Sequence, residues 1–325
     1  MKDKVLKILK ENKEYISGEK ISNILDVSRT AVWKNINSLK DEGYEIDSIS
    51  RKGYKLVSSP DILKYEEIAP YLKTENIGKK ILYFDTIDST NKKAKEIAET
   101  SPDGTVVISE EQTAGRGRLG RNWSSPKGSS LLISILLKPE IDPSKVSNIT
   151  LVGAVALVKT LEDFEVKGLI KWPNDIIIND KKIAGILTEL SAEINQVNYL
   201  VMGIGVNLYT NTEEFPEDIR HKAGSIFSET GKKINRKEFT GKFLNYFEKY
   251  YNFFLGNNYK EIVKISKEKS ILIGKEVRII SREDTYEAKV LDVTVEGHLL
   301  IEKKDGGIEE IYSGEVSVRG KNGYV

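Results

Sequence analysis

Apolar residues recur at helical spacing near the start of the chain. The segments KVLKILK, KISNIL and RTAVWKNINSLK each place them on one face of a helix, and the turn Asp26-Val27-Ser28 separates the last two. The next stretch, YEIDSISRKGYKL, alternates apolar and polar residues and predicts a β-hairpin with a basic tip. Two helices across a tight turn, followed by such a hairpin, are typical of a winged helix-turn-helix domain. We predict this domain over residues 1–60.

The helix after the turn and the tip of the hairpin carry the residues that we expect to contact DNA. Basic side chains are attracted to the phosphates of a duplex, and the start of a recognition helix faces the bases. The expected contacts are Ser28, Arg29, Thr30, Trp33 and Lys34 on the helix, with Arg51 and Lys52 on the hairpin. In the alternative interpretation, this is a small helical packing domain whose basic residues are merely solvated.

Beyond the linker Ser58-Ser59-Pro60, strands separated by turns and a few helices are predicted. The predicted strands are KKILYFDTI, TVVISEEQ, LLISILLK, GLIKWPNDIIIN, KIAGILTEL and YLVMGIGVNL, and the predicted helices start at Thr90, Val146, Arg236 and Tyr259. The turn signal Asn179-Asp180 favours a mixed, largely antiparallel sheet in a domain over residues 61–270. Short strands with glycine turns then predict a small β-barrel over residues 271–325. The fold class is therefore α+β and multidomain.

The composition narrows the possible chemistry. The 325 residues include no cysteine and only two histidines, which argues against disulfides, thiolate metal sites and a Ser-His-Asp triad. No apolar run approaches the length of a membrane span, and the N-terminus lacks a signal-peptide pattern. We therefore expect a cytoplasmic protein with no membrane partner. Because the net charge is only +1, any anion site must come from local clustering of basic residues.

The stretch GRGRLGRNW, residues 115–123, is such a cluster, and we call it the arginine–glycine loop. Its glycines match the dinucleotide-binding fingerprint, but that fingerprint requires a helix after the glycine turn, and here NWSSPKG leads into another strand. What remains is a loop with three guanidinium groups, which repel one another unless an anion with several charges lies among them. The alternatives are a mobile solvated loop and a nucleic-acid contact.

Other polar motifs accompany this loop. In chain order, DSTN, EQTAGRGRLGRNW, KWPNDI, KKIAGIL and GIGVN resemble the biotin–protein ligase family, and the resemblance covers essentially the whole chain, including a small SH3-like C-terminal barrel. The N-terminal winged helix matches the bifunctional members of that family, which are also biotin operon repressors. The resemblance implies an enzyme of the biotin–[acetyl-CoA-carboxylase] ligase class.

The resemblance also implies a reaction and the residues that perform it. ATP, with Mg²⁺, activates biotin as biotinyl-5'-AMP, and the biotinyl group passes to a lysine of a biotin carboxyl carrier protein. Cations must lie together in a cleft, since a carboxylate has to approach a polyphosphate. The implied catalytic residues are Arg116, Arg118, Lys171, Asp175 and Lys182. The implied biotin-binding residues are Ser89, Thr90, Asn91, Gln112, Gly115, Arg116, Gly117, Arg118, Lys182 and Gly185. The implied ATP-binding residues are Arg118, Arg121, Trp123, Lys171, Asn174, Asp175 and Asn207. No dedicated protein cage for a metal is implied.

Three alternatives remain open on the sequence. A lipoate–protein ligase shares the general fold, but GRGRLGRNW together with KWPND argues against it. A transcription factor that senses biotin without turnover is the alternative from another class, and the full set of charged motif residues argues against it. In the third, ligation is kept and the N-terminal domain is a vestigial clamp. As a repressor, the protein is expected to form a homodimer on biotinyl-5'-AMP and to bind operator DNA. The centre of TEEFPEDIRHKAGSIF offers no ring to stack on adenine.

Overall fold

Helices and one β-hairpin build the N-terminal unit, Met1–Pro70, in the computed structural model, which describes residues 1–193, 196–256, 258–280, 284–312 and 317–320. Its elements are α1 (Lys2–Glu11), α2 (Gly18–Leu25), α3 (Arg29–Asp41), β1 (Glu45–Ile49), β2 (Gly53–Ser58) and α4 (Tyr65–Ile68). The predicted apolar faces are buried, with Val5 and Ile21 at 0% exposure. β1 and β2 pair antiparallel. The predicted helix-turn-helix followed by a hairpin is confirmed.

Residues 61–70 pack with this unit. Leu63 and Ile68 are fully buried. The carboxylate of Glu67 is buried as well: Tyr44 Oη donates to its Oε1 at 2.9 Å, and Lys10 Nζ lies 2.6 Å from the same atom. The chain accordingly divides into compact units at Pro70, ten residues after the predicted linker. The three-domain division at residues 60 and 270 stays a prediction.

A seven-stranded sheet is the centre of the second unit, Tyr71–Val325. The strands are β3 (Ile81–Phe84), β4 (Val106–Ser109), β5 (Ser130–Leu137), β6 (Leu169–Lys171), β7 (Asp175–Ile178), β8 (Lys181–Glu193) and β9 (Gln196–Asn207). Their order across the sheet is β3-β4-β5-β9-β8-β7-β6, and only β3 and β4 run parallel. The predicted mixed, largely antiparallel sheet is confirmed.

Helices cover both faces of this sheet. The helices of this unit are α5 (Thr90–Glu96), α6 (Ile149–Asp163), α7 (Glu217–Arg220), α8 (Ile226–Thr230), α9 (Arg236–Leu255) and α10 (Tyr259–Glu268). Val201 of β9 packs in a cluster with Ala94 of α5, whereas its neighbour Met202 lies against Gly153 of α6. Successive residues of a strand point to opposite faces, so α5 and α6 lie on opposite sides. This explains why every residue of β5 is buried.

Two predictions about local structure need correction. GLIKWPNDIIIN, predicted as one strand, forms the two antiparallel strands β6 and β7, because the chain turns at Trp172-Pro173-Asn174, where the Trp172–Pro173 peptide is cis. The helix predicted from Val146 starts at Ile149, after a 3₁₀ turn over Pro143–Asn148. The predicted hairpin at Asn179-Asp180 is confirmed, and both residues have positive φ, 48° and 62°.

The C-terminal strands form a separate five-stranded antiparallel sheet. They are β10 (Glu276–Ile280), β11 (Thr285–Val293), β12 (Leu299–Lys303), β13 (Ile308–Ile311) and β14 (Ser317–Gly320), in the order β13-β12-β11-β10-β14. The strands within 276–280, 284–312 and 317–320 do not close into a barrel; residues 281–283, 313–316 and 321–325 of the predicted barrel lie outside the described residues. Trp172 Nε1 donates to the carbonyl of Gly297 at 3.0 Å, between β11 and β12.

Among the residues that the structure describes, no helix is both long enough and apolar enough to cross a bilayer.

Candidate active site

A cleft of about 760 Å³ gathers the residues predicted for catalysis and binding. It lies among the arginine–glycine loop, β8, β9 and the turn between β6 and β7. The predicted residues that line it are Ser89, Thr90, Asn91, Gln112, Arg116, Gly117, Arg118, Arg121, Trp123, Lys171, Asn174, Asp175, Lys182, Gly185 and Asn207. Gly115 is not among its lining residues and is buried at the base of the loop, where a Cβ would lie 2.4 Å from the Trp123 carbonyl oxygen. The structure therefore brings together segments that are up to 118 residues apart in the chain, from Ser89 to Asn207.

The arginine–glycine loop is itself a narrow hairpin. Gly117 N donates to the Arg121 carbonyl at 2.7 Å, and Trp123 N donates to the Gly115 carbonyl at 2.9 Å. The tip turns through Leu119 and Gly120, which have φ of 56° and 71°. No α-helix follows before β5, so the rejection of a dinucleotide-binding loop is confirmed. The hairpin projects its arginines along one wall of the cleft.

At one end of the cleft, side-chain hydrogen bonds fix a group of polar residues. Thr90 donates to Gln112 Oε1 from both its backbone N and its Oγ1, at 2.8 and 3.0 Å. The amide of Asn91 is bound on both sides, since its Nδ2 donates to Glu189 Oε2 at 2.7 Å and its Oδ1 lies 2.6 Å from Ser134 Oγ. This end is a rigid, hydrogen-bonding pocket, in which Asn91 has its polar atoms engaged by the protein.

Burial opposes ionisation of the Glu189 carboxyl beneath this pocket. Hydrogen bonds from Lys95 and Asn91 outweigh that effect and hold its pKa below the usual range. Lys95 Nζ lies 2.7 Å from Glu189 Oε1. The carboxylate is therefore charged at neutral pH and keeps the Asn91 amide in one orientation.

Glycines form the floor of the cleft beside the Trp123 ring. Gly185 of β8 pairs with Gly205 of β9, and both lie under the indole. A Cβ at Gly205 would be 2.4 Å from Trp123 Cε2, and one at Gly203 would be 2.1 Å from Asn91 Oδ1. These separations are far shorter than van der Waals contact. Glycine is therefore required at both positions for the ring and the amide to sit as they do.

Charged residues alternate in sign across the β6–β7–β8 part of the sheet. Lys171 and Asp175 are partners in the β6–β7 register, and Lys182 Nζ lies 2.6 Å from Asp175 Oδ1. The Lys182 ammonium is also 5.7 Å from the centroid of the Trp123 ring, within the range of a cation–π interaction. Arg118 joins this group from the loop, because its Nη1 donates to Asn174 Oδ1 at 3.1 Å. The cleft thus concentrates positive charge around the Asp175 carboxylate.

Lys171 is buried, with 3% of its surface exposed. Burial, together with the nearby positive charges of Arg319, Lys182 and Arg121, lowers the pKa of Lys171 to about 7, although Asp175 acts in the opposite direction. Burial also lowers the pKa of Arg118, whose guanidinium nevertheless stays charged near neutral pH. The Lys171 ammonium is therefore partly deprotonated near physiological pH.

The cleft includes residues that the sequence interpretation did not identify. Phe215 and Ile219 line it from the segment before and within α7, and Arg319 lines it from β14. Lys182 N donates to the Lys222 carbonyl at 2.8 Å and its carbonyl accepts from Gly224 N at 3.1 Å, which attaches that segment to β8. The only sequence signal that Arg319 belongs to the cleft was its positive charge. Many other residues of the chain carry the same charge.

The predicted DNA-contacting residues lie on the surface of the N-terminal unit. Ser28 caps α3, its Oγ accepting from Ala31 N at 3.2 Å. Trp33 is 54% exposed, which is unusual for a ring of that size. The others are also exposed: Arg29, Thr30, Lys34, Arg51 and Lys52. Arg29 Nη2 is 2.5 Å from Glu19 Oε2, so this arginine must leave an exposed ion pair to reach a phosphate. Their contact with DNA stays a prediction.

Comparison with known proteins identifies the family. The model of the biotin/lipoate A/B protein ligase family matches residues 83–207, an HTH domain model matches residues 2–55, and the biotin protein ligase C-terminal domain model matches residues 272–319. The bifunctional ligase/repressor BirA of Bacillus subtilis (strain 168) is 40% identical over 94% of each chain. The protein of the same name from Escherichia coli (strain K12) is 28% identical over 95% of this chain and 94% of its own.

Solved structures agree with this relationship. Biotin protein ligase from Aquifex aeolicus, in complex with biotin and ATP, superposes with a TM-score of 0.66 at 32% identity, over 75% of this chain and 100% of the other. The motifs that form the cleft fall within the matched ligase region, and α1, α2, α3, β1 and the start of β2 fall within the matched HTH region. The chain belongs to the family of bifunctional biotin–protein ligases that also act as repressors.

Proposed function

We propose that the cleft joins biotin to a lysine of a biotin carboxyl carrier protein in two steps. In the first, a carboxylate oxygen of biotin attacks the α-phosphorus of ATP, the bond from that phosphorus to the bridging oxygen breaks, and pyrophosphate leaves. In the second, the carrier lysine attacks the acyl carbon of biotinyl-5'-AMP and AMP leaves, while the amine loses a proton. The observation that carries this proposal is the group of Arg118, Lys171 and Lys182 around Asp175 in one cleft.

The polar end of the cleft is proposed to hold the ureido ring of biotin. Ser89, Thr90 and Gln112 surround this position, and Gln112 Nε2 donates no hydrogen bond to another described residue. It is therefore suited to donate to the ureido carbonyl. Asn91 acts differently, because Glu189 and Ser134 hold its amide and it contributes a fixed surface. The backbone of Gly115, Arg116 and Gly117 is proposed to close over the ligand.

The cationic part of the cleft is proposed to bind the carboxylate and the phosphates. Lys182 and Arg118 lie beside the reacting groups, and Arg116 and Arg121 approach from the loop. Asn174 orients Arg118 through its Oδ1 and is itself held by Ile186, whose carbonyl accepts from Nδ2 at 2.9 Å. Trp123 and Asn207 are proposed to face the nucleotide, since Trp123 Nε1 and Asn207 Oδ1 are buried polar atoms that no described residue satisfies.

Arg319 extends the proposed ATP site to the C-terminal sheet. It lines the cleft from β14, and its charge acts on Lys171. An arginine there suits the β- and γ-phosphates, because a guanidinium fork binds phosphate with two hydrogen bonds. We further propose that the C-terminal strands form an SH3-like arrangement that stays open between the described strands, and the match of the biotin protein ligase C-terminal domain model supports this. A cytoplasmic location stays a prediction.

Mg²⁺ accompanies ATP in this proposal and, when bound, neutralises part of the phosphate charge. Asp175 is the residue that would hold it, since it offers a carboxylate on the cleft wall. One carboxylate suits an ion that is coordinated mainly by the phosphates, as is usual for Mg²⁺ with nucleotides. Among the described residues, no group of three or more His, Cys, Asp or Glu is placed to hold a metal. In the second step, Asp175 is proposed to orient the incoming lysine amine.

Transfer of labelled biotin to a carrier domain tests the ligase. We expect incorporation that depends on ATP and on the acceptor lysine. Incorporation of octanoate or lipoate in place of biotin would instead indicate a lipoate ligase. Binding of biotin without any transfer would indicate a sensor without turnover. Either result would overturn the proposal.

The N-terminal unit is proposed to repress transcription when biotinyl-5'-AMP promotes a homodimer. A dimer places two α3 helices on a palindromic operator, and its symmetry sets the spacing of the half-sites. The exposed set on α3 and on the β1–β2 hairpin supports DNA as the partner. Gel shifts with operator DNA should show higher affinity in the presence of biotinyl-5'-AMP. Equal affinity with and without the adenylate would remove the link, and absence of binding would favour a vestigial clamp.

The pKa of Lys171 leads to a prediction about ATP binding. A pKa of about 7 means that Lys171 is mostly neutral at pH 8, and phosphates placed beside it should raise its pKa again. Binding of a non-hydrolysable ATP analogue should therefore take up most of one proton at pH 8 and almost none at pH 6, where Lys171 is already charged. The affinity for ATP should fall as the pH rises above 7. Calorimetric titrations in buffers of different ionisation enthalpy measure the uptake.

Lys171→Arg is the control for this prediction. Arginine keeps its charge across this pH range, so the variant should show no uptake at pH 8. Equal proton uptake in the variant and in the natural protein would assign the proton to another group.

A further inference from the structure

Arg236, the first residue of α9, is a buried arginine outside the cleft. Its exposed fraction is 1%, and Glu110, its partner, is 4% exposed. Arg236 Nη1 lies 2.7 Å from Glu110 Oε2 and 3.1 Å from the carbonyl oxygen of Ser130. Neither Arg236 nor Glu110 lines the cleft. Their charges therefore act on the protein's own structure.

The two partners of Arg236 stand at the two ends of the connection that carries the arginine–glycine loop. Glu110 directly follows β4, and Ser130 is the first residue of β5. Residues 111–129 lie between them, including all three arginines of the loop. The Gly128 N–H also donates to the Glu110 carbonyl at 3.2 Å, directly across the base. A single guanidinium thus binds both ends of this connection.

The same base is attached to the opposite wall of the cleft. The carbonyl of Ser129 accepts from Leu208 N at 3.1 Å and from Tyr209 N at 2.8 Å. These residues directly follow Asn207, at the end of β9, and lead into the segment that holds Phe215. A shift of the loop base therefore moves the start of the second wall as well.

A buried ion pair is weak evidence for stability, because removing two charges from water offsets much of their attraction. What such a pair fixes well is geometry, since a charge in an apolar surrounding has few alternative partners. We propose that Arg236 and Glu110 are positioning residues for the arginine–glycine loop. By holding both ends of the connection, they set the position from which Arg116 and Arg118 reach the substrates. This inference rests on the proposed ligase function.

The test uses the full chain with Arg236→Lys and Glu110→Gln. Lysine keeps the charge but lacks the planar fork that serves two acceptors, and glutamine keeps the size but not the charge. Both variants should lower kcat/KM for biotin in adenylate formation by about ten- to a hundredfold. The reason is that a small displacement of the loop arginines, caused far from the reacting atoms, is enough to slow the reaction to this extent. Trypsin cleavage after the loop arginines, measured well below each melting temperature, should rise by about tenfold.

Glu248→Gln is the matched control. Glu248 is also a buried carboxylate, and it accepts from the backbone N–H groups of Glu75, Asn76 and Ile77 at 2.7, 2.7 and 2.8 Å, without contact to the loop. Glu248→Gln should lower the melting temperature by several degrees. It should leave kcat/KM for biotin and the rate of trypsin cleavage within about twofold of those of the natural protein. The proposal is wrong if Arg236→Lys and Glu110→Gln behave like Glu248→Gln.

Two further outcomes are decisive. Should Arg236→Lys fail to fold, Glu110→Gln carries the test alone, because it preserves the volume of the pair. Should the natural protein form no adenylate, the proposed function fails, and the trypsin comparison still reports whether the pair holds the loop.

Discussion

Replacing Lys182 with methionine is expected to slow formation of biotinyl-5'-AMP by about a thousandfold, which corresponds to about 4 kcal/mol of transition-state stabilisation. Lys182 Nζ is held 2.6 Å from Asp175 and over the Trp123 ring, so the ammonium is in place before the reaction begins. Methionine fills a similar volume without the charge. The remaining carboxylate of Asp175 would then repel the phosphates, which adds to the loss.

Pyrophosphate exchange measures this step without the carrier protein. Lys181→Met is the matched control, because the neighbouring lysine points away and donates to the His221 carbonyl at 2.5 Å. Its exchange rate should stay within about twofold of that of the natural protein. A folded Lys182→Met variant that forms adenylate at the natural rate would contradict the electrostatic mechanism as a whole.

Gly205→Ala is expected to reduce kcat/KM for ATP by about a hundredfold while the fold persists. The new Cβ would lie 2.4 Å from Trp123 Cε2, so the indole must move off the floor of the cleft. Overpacking of this kind costs about 1–3 kcal/mol in stability. The Trp123 ring also makes a cation–π contact with the Lys182 ammonium. Displacement of the ring removes this contact.

Gly203→Ala provides the comparison, two residues away on the same face of β9. Its Cβ would meet Asn91 Oδ1 at 2.1 Å, so its effect should appear in the KM for biotin instead of that for ATP. Steady-state kinetics with each substrate varied separately distinguish the two. If both variants changed the same parameter to the same extent, the proposed division of the cleft into two ends would be wrong.

Most residues that the sequence interpretation singled out for the site line one cleft, but the sequence did not predict how they are arranged there. Motif residues such as Thr90, Lys171 and Lys182 can be recognised from a few neighbouring residues. Each is a polar or charged residue at the end of a predicted strand or the start of a predicted helix. The hairpin at Asn179-Asp180 was predictable for the same reason, since a turn of this type depends on two adjacent residues. The sequence alone does not reveal that Lys171 and Asp175 face each other. The two residues face each other because the chain turns inside KWPND, within a stretch that the sequence pattern predicted as one strand.

Long-range packing accounts for what the sequence interpretation missed. Arg319 reaches the cleft because β14 pairs with β10, a pairing with no local sequence signal. The role of Asn91 was also hidden, because its two partners come from β5 and β8. Segment 61–70 packs with the N-terminal unit, where Glu67 contacts Lys10 of α1 and Tyr44. A composition shift at Pro60 does not reveal such contacts.

The alternating order of Lys171, Asp175 and Lys182 has a consequence for how substrates enter. Each ammonium already has the Asp175 carboxylate as its neighbour. An approaching phosphate therefore replaces one anionic partner by another. It does not have to displace the complete hydration shell of an isolated cation. We expect this arrangement to lower the affinity for each anionic ligand and to speed its exchange. Nucleotide, product and carrier lysine are then expected to follow one another in the cleft without slow release of any of them.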